Sequence, residues 1–405
     1  MPNSSKIYLL AIVSFLVGTS ENIIAGILDR VAGDVGVSIA AAGQLITVFS
    51  LAYAFGTPVL MAATARIGRR KLMLGALGLF FAGNVVAVLS SDYAVLMLSR
   101  IVLALGTGVF VVASLTVASQ LAPPGKQGSA IATLVMGFST SLIVGVPLGR
   151  VIAASYDWKL IFAGIGLLSL AGAAAILRAI PESEGEAPVP VRTQLALLRR
   201  PRIAVALSVT FFWIFGYSIM YTYISPFLLS ITGMSEQAVS IGLFAFGIAS
   251  LIGSKLGGFS SDRWGIRRTL LGGMLLHAAV LLLLTAFSHS AALMFPLLML
   301  WAFSAWSSGP TQQYYLLTLA PGASGIMLSL NSSMLQLAMA AGAGIGGAIV
   351  GGVSLSAVSW LGALAVAAAA VLAAASFRIA RGAAPDAEPS LQPALACPRP
   401  DSASR

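Results

Sequence analysis

Glu21 and Arg100 are charged residues inside long apolar stretches of the sequence, where charge is rare. Glu21 is in the stretch 7–28, and Arg100 is near the start of the stretch 94–118. Glu21 is the only carboxylate well inside such a stretch. A carboxyl group in apolar surroundings can take up and release a proton, and a nearby guanidinium tunes that equilibrium. We therefore predict that Glu21 is a proton-binding site and that Arg100 adjusts it.

The two residues are expected at similar depth in a membrane. At about 1.5 Å per residue, Glu21 lies roughly 10 Å and Arg100 roughly 9 Å from the outer ends of their stretches. One alternative is a structural ion pair without a functional role. Another is an Arg100 side chain that extends to the membrane surface. Asp29 is either a second acid at the mouth or a solvated loop residue, and we favour the loop.

Polar and aromatic side chains inside the apolar stretches are the candidates for contact with a small-molecule substrate. Trp213, Tyr217 and Tyr221 recur at i, i+4 and i+8, so they share one face of a helix. Such a stripe is also typical of packing or lipid contact, although Tyr217 is distant from the interfaces where aromatic belts form. His277 lies in mid-stretch without metal-ligand spacing, and we interpret it as a packing residue. The polar candidates are Gln44, Tyr53, Asn84, Gln312, Gln313, Asn331 and Gln336.

Motifs for enzymatic chemistry have no supporting context. The string 322–325 matches a serine-nucleophile pattern, but no base is presented to it. The string 342–347 fits G-x-G-x-x-G without a preceding strand, and there is no Walker loop. The single cysteine, Cys397, excludes disulfides and a cysteine-based metal site within the chain. We predict no enzyme, no metal and no cofactor, with a proton as the coupling ion.

The composition requires a membrane. Of the 405 residues, 58% are hydrophobic and 9% are charged, and the mean hydropathy is +0.95. A soluble domain has about 25% charged residues, because its surface must be solvated. Lipid must therefore be the solvent for most of the chain. The net charge of +10 does not indicate nucleic acid, because the basic residues lie between the apolar stretches or at the ends.

Twelve apolar stretches are long enough to cross a core of about 30 Å. Six precede and six follow the polar segment 181–202. We predict an all-α membrane protein of two six-helix bundles, 1–180 and 203–378, joined by a linker at 181–202 and followed by a disordered tail at 379–405. The predicted spans are 7–28, 42–62, 72–90, 94–118, 128–154, 160–180, 203–231, 236–258, 269–288, 291–319, 323–350 and 355–378.

The basic residues predict the orientation. Most lie in loops on one side of the twelve-span arrangement, whereas the opposite loops hold mainly Arg30 and Lys159 together with several acids. Because positive loops stay in the cytoplasm, both termini should be cytoplasmic in a bacterial inner membrane.

An internal repeat supports the division into halves. Arg66 and Arg263 are 197 residues apart, as are Gly68 and Gly265. Parallel repeats of six spans are one way in which transporters place a binding site between two moving halves.

The loops of this repeat resemble those of the major facilitator superfamily. Within it, the chain is similar to the twelve-span drug:proton antiporter family, which includes arabinose-efflux-like and chloramphenicol-resistance permeases. The family's loop pattern is G-x-x-x-D-R-x-G-R-R. The second copy keeps the acid as Asp262, whereas the first has Ala65 instead. The resemblance implies gating by Arg66, Gly68, Arg69, Gly258, Asp262, Arg263, Gly265, Arg267 and Arg268; the alternative is that these charges only fix the topology.

Two further markers support the resemblance. Arg100 is similar to the family's fourth-helix arginine, and Glu21 lies in a string similar to its first-helix G-T-x-E. Helices one and four face the cavity in this family, which fits a Glu21–Arg100 pair.

The fifth apolar stretch resembles the antiporter motif of exporters in this family. It contains Gly137, Gly145, Pro147 and Gly149. Pro147 should kink the helix and leave the carbonyl of Ile143 without its partner. Ordinary small-residue packing is the alternative.

The resemblance implies a monomeric secondary transporter that exports small organic molecules in exchange for protons by alternating access. Antibiotics and sugar-like compounds are the family-level candidates. Two alternatives stay open: a symporter or facilitator for uptake, and a receptor without transport built on the same fold.

Overall fold

The computed structural model describes residues 2–123, 127–182, 198–320 and 324–382. Within these ranges, twelve helices are long and apolar enough to cross a membrane, which confirms the predicted all-α fold. The rest of the predicted linker and tail, including Cys397, lies outside the described residues. The spans, numbered α1 to α12, are Asn3–Gly26, Ile39–Ala63, Arg69–Leu89, Tyr93–Ala118, Thr133–Ser155, Lys159–Ala179, Pro201–Thr222, Glu236–Trp264, Ile266–Ala286, Ala291–Leu319, Leu330–Gly352 and Ala357–Ile379.

Two spans end earlier than their apolar stretches. The stretch 203–231 forms α7 only as far as Thr222, because Tyr223 leaves helical geometry (φ −107°, ψ 17°) ahead of Pro226. The first stretch breaks at Ile27 (φ −124°, ψ 20°) and continues as a short helix, Leu28–Val35. Asp29 is therefore helical, and the prediction that it is a loop residue is wrong.

Two spans contain a π-helical turn. These turns are Ala52–Gly56 in α2 and Ser141–Gly145 in α5. A proline follows each turn, Pro58 and Pro147 respectively. Proline lacks an amide hydrogen, so the helix before it loses a regular bond, and a π turn redistributes the bonds that remain. The irregularity predicted at Pro147 is present as this turn.

The two sets of six spans pack mainly within themselves and meet along two seams. One seam joins α2 to α11, and the other joins α5 to α8. Both seams are formed by the parts of α2 and α5 that lie on the side of the molecule opposite to the two chain ends. These parts are Ile39–Leu51 and Ser141–Ser155. We call this side the far side, and the opposite side, where α1 begins and α12 ends, the termini side. The halves are closed on the far side and leave a cavity between them towards the termini side.

A row of glycines on α5 faces α1. A Cβ atom on Gly137 would overlap the carbonyl oxygen of Ala11, and Cβ atoms on Gly145 and Gly149 would overlap the side chains of Thr19 and Ile23. The small residues therefore let the two helices approach closely. Because Glu21 is on α1, this packing also fixes where its side chain lies.

The α1–α5 contact can be tested by a pair of glycine substitutions. Gly137→Ala should lower the melting temperature of the purified protein by several degrees, because forced overpacking costs about 1–3 kcal/mol. Gly164→Ala is the control: no described atom lies within 4 Å of the added Cβ, and alanine favours helix by up to about 1 kcal/mol. Equal melting temperatures for the two variants would contradict the close contact.

Candidate functional site

A cavity of about 320 Å³ lies between the two halves. Its wall in the first half comes from α1, α2, α4 and α5, and its wall in the second half comes from α7, α10 and α11. Glu21 is the one acid among the described residues that line it, and no lysine or arginine joins it there. A compartment of this size, with mostly apolar walls and a few polar groups, is typical of a small-molecule site.

Glu21 links the two halves at this cavity. The residue is 8% exposed, and its Oε1 accepts a hydrogen bond of 3.1 Å from Nε2 of Gln336 on α11. Its other oxygen, Oε2, is buried and has no hydrogen-bond partner among the described residues. One carboxyl oxygen therefore contacts the opposite half, and the second is available to a proton or to a ligand.

Arg100 lies beside Glu21 but binds its main chain. The guanidinium is fully buried, so it does not extend to the membrane surface. It donates to the carbonyl oxygens of Ser20 (2.9 Å) and Glu21 (3.1 Å), and it lies 4.4 Å from the centre of the Phe49 ring. In the described structure, no salt bridge joins it to the Glu21 carboxylate. The predicted pair is correct as a proximity, but the direct bonds are to carbonyl groups.

Amide side chains of the second half form a hydrogen-bonded network on the cavity wall. Gln312 donates to the carbonyl oxygen of Ala206 (2.8 Å) and to Oγ1 of Thr210 (3.0 Å). Thr210 in turn donates to Oδ1 of Asn331 at 2.9 Å. Gln312 and Asn331 both line the cavity, so hydrogen-bonding groups for a ligand are held in fixed positions.

Aromatic rings form the remaining wall of the second half. Trp213, Tyr217 and Trp306 line the cavity, and the ring of Tyr217 packs 5.6 Å from that of Trp301. Behind this wall, Nε1 of Trp301 donates to Nε2 of His277 at 2.9 Å. His277 is fully buried, in agreement with its interpretation as a packing residue.

Three of the predicted substrate residues do not line the cavity. Gln44 lies in the far-side seam, where its Nε2 is 3.4 Å from the carbonyl oxygen of Gly344. Asn84 bonds to the carbonyl oxygen of Phe80 within α3. Tyr221 is stacked beneath Tyr217, with ring centres 5.0 Å apart. The predicted residues that do line it are Tyr53, Trp213, Tyr217, Gln312, Gln313, Asn331 and Gln336.

The two loops predicted to have a gating role differ in their burial and in their ion pairs. In the first, Arg69 is buried, and Arg70 bonds to Glu182 at 2.6 Å. In the second, Asp262 is exposed and forms no ion pair within the described residues. The loop glycines also differ, because Gly265 has a φ of +83° and Gly68 has a φ of −56°. Arg66, Arg263, Arg267 and Arg268 are exposed, and a Cβ atom added to Gly258 would meet no described atom within 4 Å.

Some cavity residues were not identified from the sequence. Asn22 and Trp306 line the cavity, and Asn22 is the residue next to Glu21.

Arg150 lies inside the predicted span 128–154 and is fully buried. The sequence shows that Arg150 is a charged residue inside an apolar stretch, but it does not show which residues Arg150 contacts.

Comparison with known proteins places the chain among transporters. The sequence matches the family model of the Major Facilitator Superfamily over residues 10–343 and 214–397. It is 56% identical over 346 residues to an uncharacterized MFS-type transporter, YbcL, of Bacillus subtilis, covering 85% of this chain and 89% of that protein. It is 28% identical over 341 residues to a probable sugar efflux transporter of Helicobacter acinonychis, covering 84% and 87% of the two chains.

The fold is also similar to solved structures. A bacterial homolog of the human lysosomal transporter Spinster, in an inward-facing and occupied conformation, superposes with a TM-score of 0.77 at 15% identity. The match covers 93% of this chain and 97% of that one. With a transporter fold, a cavity between two six-span halves and a family match over most of its length, this chain belongs to the Major Facilitator Superfamily.

Proposed function

We propose that this protein is a proton-coupled antiporter that exports a small organic compound by alternating access, as the drug:proton antiporter family does. The observation that carries the proposal is the position of Glu21. Its carboxyl lines the cavity, one oxygen bonds to Gln336 of the other half, and the second oxygen is buried without a partner among the described residues.

Protonation of Glu21 would change the bond between the halves. An ionised carboxylate accepts from the Gln336 amide more strongly than a neutral carboxyl does. A proton on Oε2 also converts that oxygen into a donor that can bind a ligand in the cavity. Proton uptake therefore weakens one contact between the halves and alters the ligand site, which are the two links that coupling requires.

Arg100 would limit the cost of the charged state. A carboxylate in an apolar bundle is costly unless a positive charge or water is near. Arg100 supplies that charge and is held in place by the carbonyl oxygens of Ser20 and Glu21. Because it does not form a salt bridge with the carboxylate, the proton can leave and return without a salt bridge being broken.

Export and a sugar-like or amphipathic substrate are supported by separate observations. One relative is described as a probable sugar efflux transporter. The cavity combines amide groups with aromatic faces, a combination that suits hydroxyl-bearing or amphipathic compounds. The Gly/Pro-rich stretch of α5, which resembles the exporters' antiporter motif, packs against α1.

The orientation completes the proposal. The basic loops lie on the termini side, so both termini would be cytoplasmic in the bacterial inner membrane. The cavity between the halves then faces the cytoplasm, where an exporter collects its substrate. We further propose that Asp262, exposed in this conformation, pairs with nearby arginines when the termini side closes.

The proton gradient is sufficient for export. One elementary charge crossing 100 mV is worth about 2.3 kcal/mol, so one proton at about 150 mV supplies roughly 3.5 kcal/mol. Since about 1.4 kcal/mol is tenfold, this supports a gradient of several hundred-fold for a neutral substrate.

Glu21→Gln should abolish proton exchange and retain substrate exchange. In everted vesicles with an imposed pH gradient, chloramphenicol, arabinose and a nucleoside are added in turn, and proton efflux is followed by a pH-sensitive dye. The wild type should release protons with at least one compound, and Glu21→Gln should release none. Counterflow of that compound should persist in Glu21→Gln, because glutamine keeps the shape and the bond to Gln336 but carries no exchangeable proton.

Asp157→Asn is the matched control, because it removes an exposed carboxylate outside the spans. It should behave like the wild type. Proton efflux retained by Glu21→Gln would contradict the proposed proton site. Counterflow that does not depend on pH in the wild type would favour a facilitator, and binding without flux would favour a receptor.

Trp213→Ala should weaken recognition of the exported compound. Trp213 lines the cavity and is 7% exposed, and loss of an aromatic contact of about 1.5 kcal/mol corresponds to roughly tenfold in affinity. The KM for export should rise by about that factor. The control is Trp360→Ala, which removes a tryptophan of α12 that is 40% exposed. A similar rise in both variants would argue against a cavity role for Trp213.

A further inference from the structure

A cluster of four charged residues joins the two halves on the far side. Arg150, on α5, donates through Nη1 to Asp29 and through Nη2 to Oε2 of Glu236 at 2.8 Å. Arg30 donates to the other oxygen of Glu236 at 2.5 Å. Glu236 is the first residue of α8 and thus belongs to the second half. It receives bonds from two arginines of the first half.

Arg150 is anchored to its own half. Its side chain is fully buried, and Nη1 also donates to the carbonyl oxygen of Gly26 at 3.1 Å. Gly26 is the last residue of α1, where helix carbonyls lack intrahelical partners. Asp29 and this carbonyl would therefore continue to compensate the guanidinium if the bond to Glu236 were broken.

Glu236 is anchored to the other half. It follows the capping residue Ser235, whose side chain accepts from the amide of Ala238 at 3.2 Å. A carboxylate in the first turn of a helix is stabilised by the positive end of the helix dipole. Movement of α8 must therefore carry Glu236 with it.

The bond between these anchors can open at moderate cost. The side chain of Glu236 is 39% exposed, and an open groove between α5 and α8 reaches it. Once released, this carboxylate would be hydrated, while Arg150 would keep its local partners. Neither charge would be left buried and unpaired, which is the condition that makes separation of a buried pair costly.

The termini side has no equivalent among the described residues. The described salt bridge on the termini side is between Arg70 of α3 and Glu182, which follows α6. It therefore does not connect the first half to the second. Within the described ranges, no salt bridge links the halves on that side.

We propose that the bonds of Arg150 and Arg30 to Glu236 are a far-side latch that stabilises the conformation open to the termini side, and that the latch opens in each transport cycle. The latch does not depend on which compound is transported or on whether protons drive the transport.

Distances between spin labels test the latch. In a Cys397→Ser background, Tyr156→Cys and Val353→Cys place labels at exposed far-side positions, one in each half. Ile67→Cys and Tyr314→Cys report the termini side in a second protein. Double electron–electron resonance is measured on each pair without substrate, in the presence and absence of Glu236→Gln.

Glu236→Gln should lengthen the far-side distance and shorten the termini-side distance. The ratio of the two populations should change at least tenfold, which corresponds to about 1.4 kcal/mol. Opposite changes on the two sides are the signature of a latch, because simple loss of stability would broaden both distributions. Arg30→Gln, which removes one of the two bonds, should give a smaller shift in the same direction.

Glu182→Gln is the control, because it breaks an ion pair that does not cross between the halves. Its distributions should match those of the wild type. The latch is rejected if Glu236→Gln and Arg30→Gln both keep the wild-type distances, or if Glu182→Gln shifts them equally. Should Glu236→Gln not fold, the result for Arg30→Gln alone decides.

Discussion

Two fully buried arginines need oxygen atoms as hydrogen-bond acceptors inside an apolar bundle, and for both of them the first helix supplies carbonyl oxygens. Arg100 binds the carbonyl oxygens of Ser20 and Glu21, and Arg150 binds that of Gly26. A guanidinium cannot lose its charge in a protein and carries five donors in a fixed plane. The two side chains therefore fix the end of α1 against α4 and α5, and the site is assembled around that end.

The other contacts of α1 follow from this attachment. The glycines of α5 allow the helix to approach closely, and the break at Ile27 exposes carbonyl groups that receive Arg150 and Ser225. Ser225 belongs to the second half, so the end of α1 is also where the halves meet. Glu21 lies about one and a half turns before this point. Its carboxyl group therefore contacts both halves and the cavity.

The twelve spans could be predicted from the sequence because the hydrocarbon thickness imposes a length on every apolar stretch. The depth of a residue follows from the same thickness, and the family resemblance implies that helices one and four face the cavity. Together they allowed the proximity of Glu21 and Arg100 to be predicted. Rotation about the helix axis was not, because lipid and the bundle interior are both apolar and no hydrophobic stripe marks the inner face. This is why Gln44, Asn84 and Tyr221 were predicted to line the cavity, whereas none of them is among its lining residues. The partners of Asp29 required knowledge of the break at Ile27, which the apolar stretch does not reveal.

The π turns make the two helices of each seam different in regularity. Each seam pairs one interrupted helix, α2 or α5, with an uninterrupted one, α11 or α8. An interrupted hydrogen-bond ladder bends more easily than a regular one. At both seams, the helix that bends more easily therefore belongs to the first half. Two similar repeats therefore meet through helices of unequal regularity.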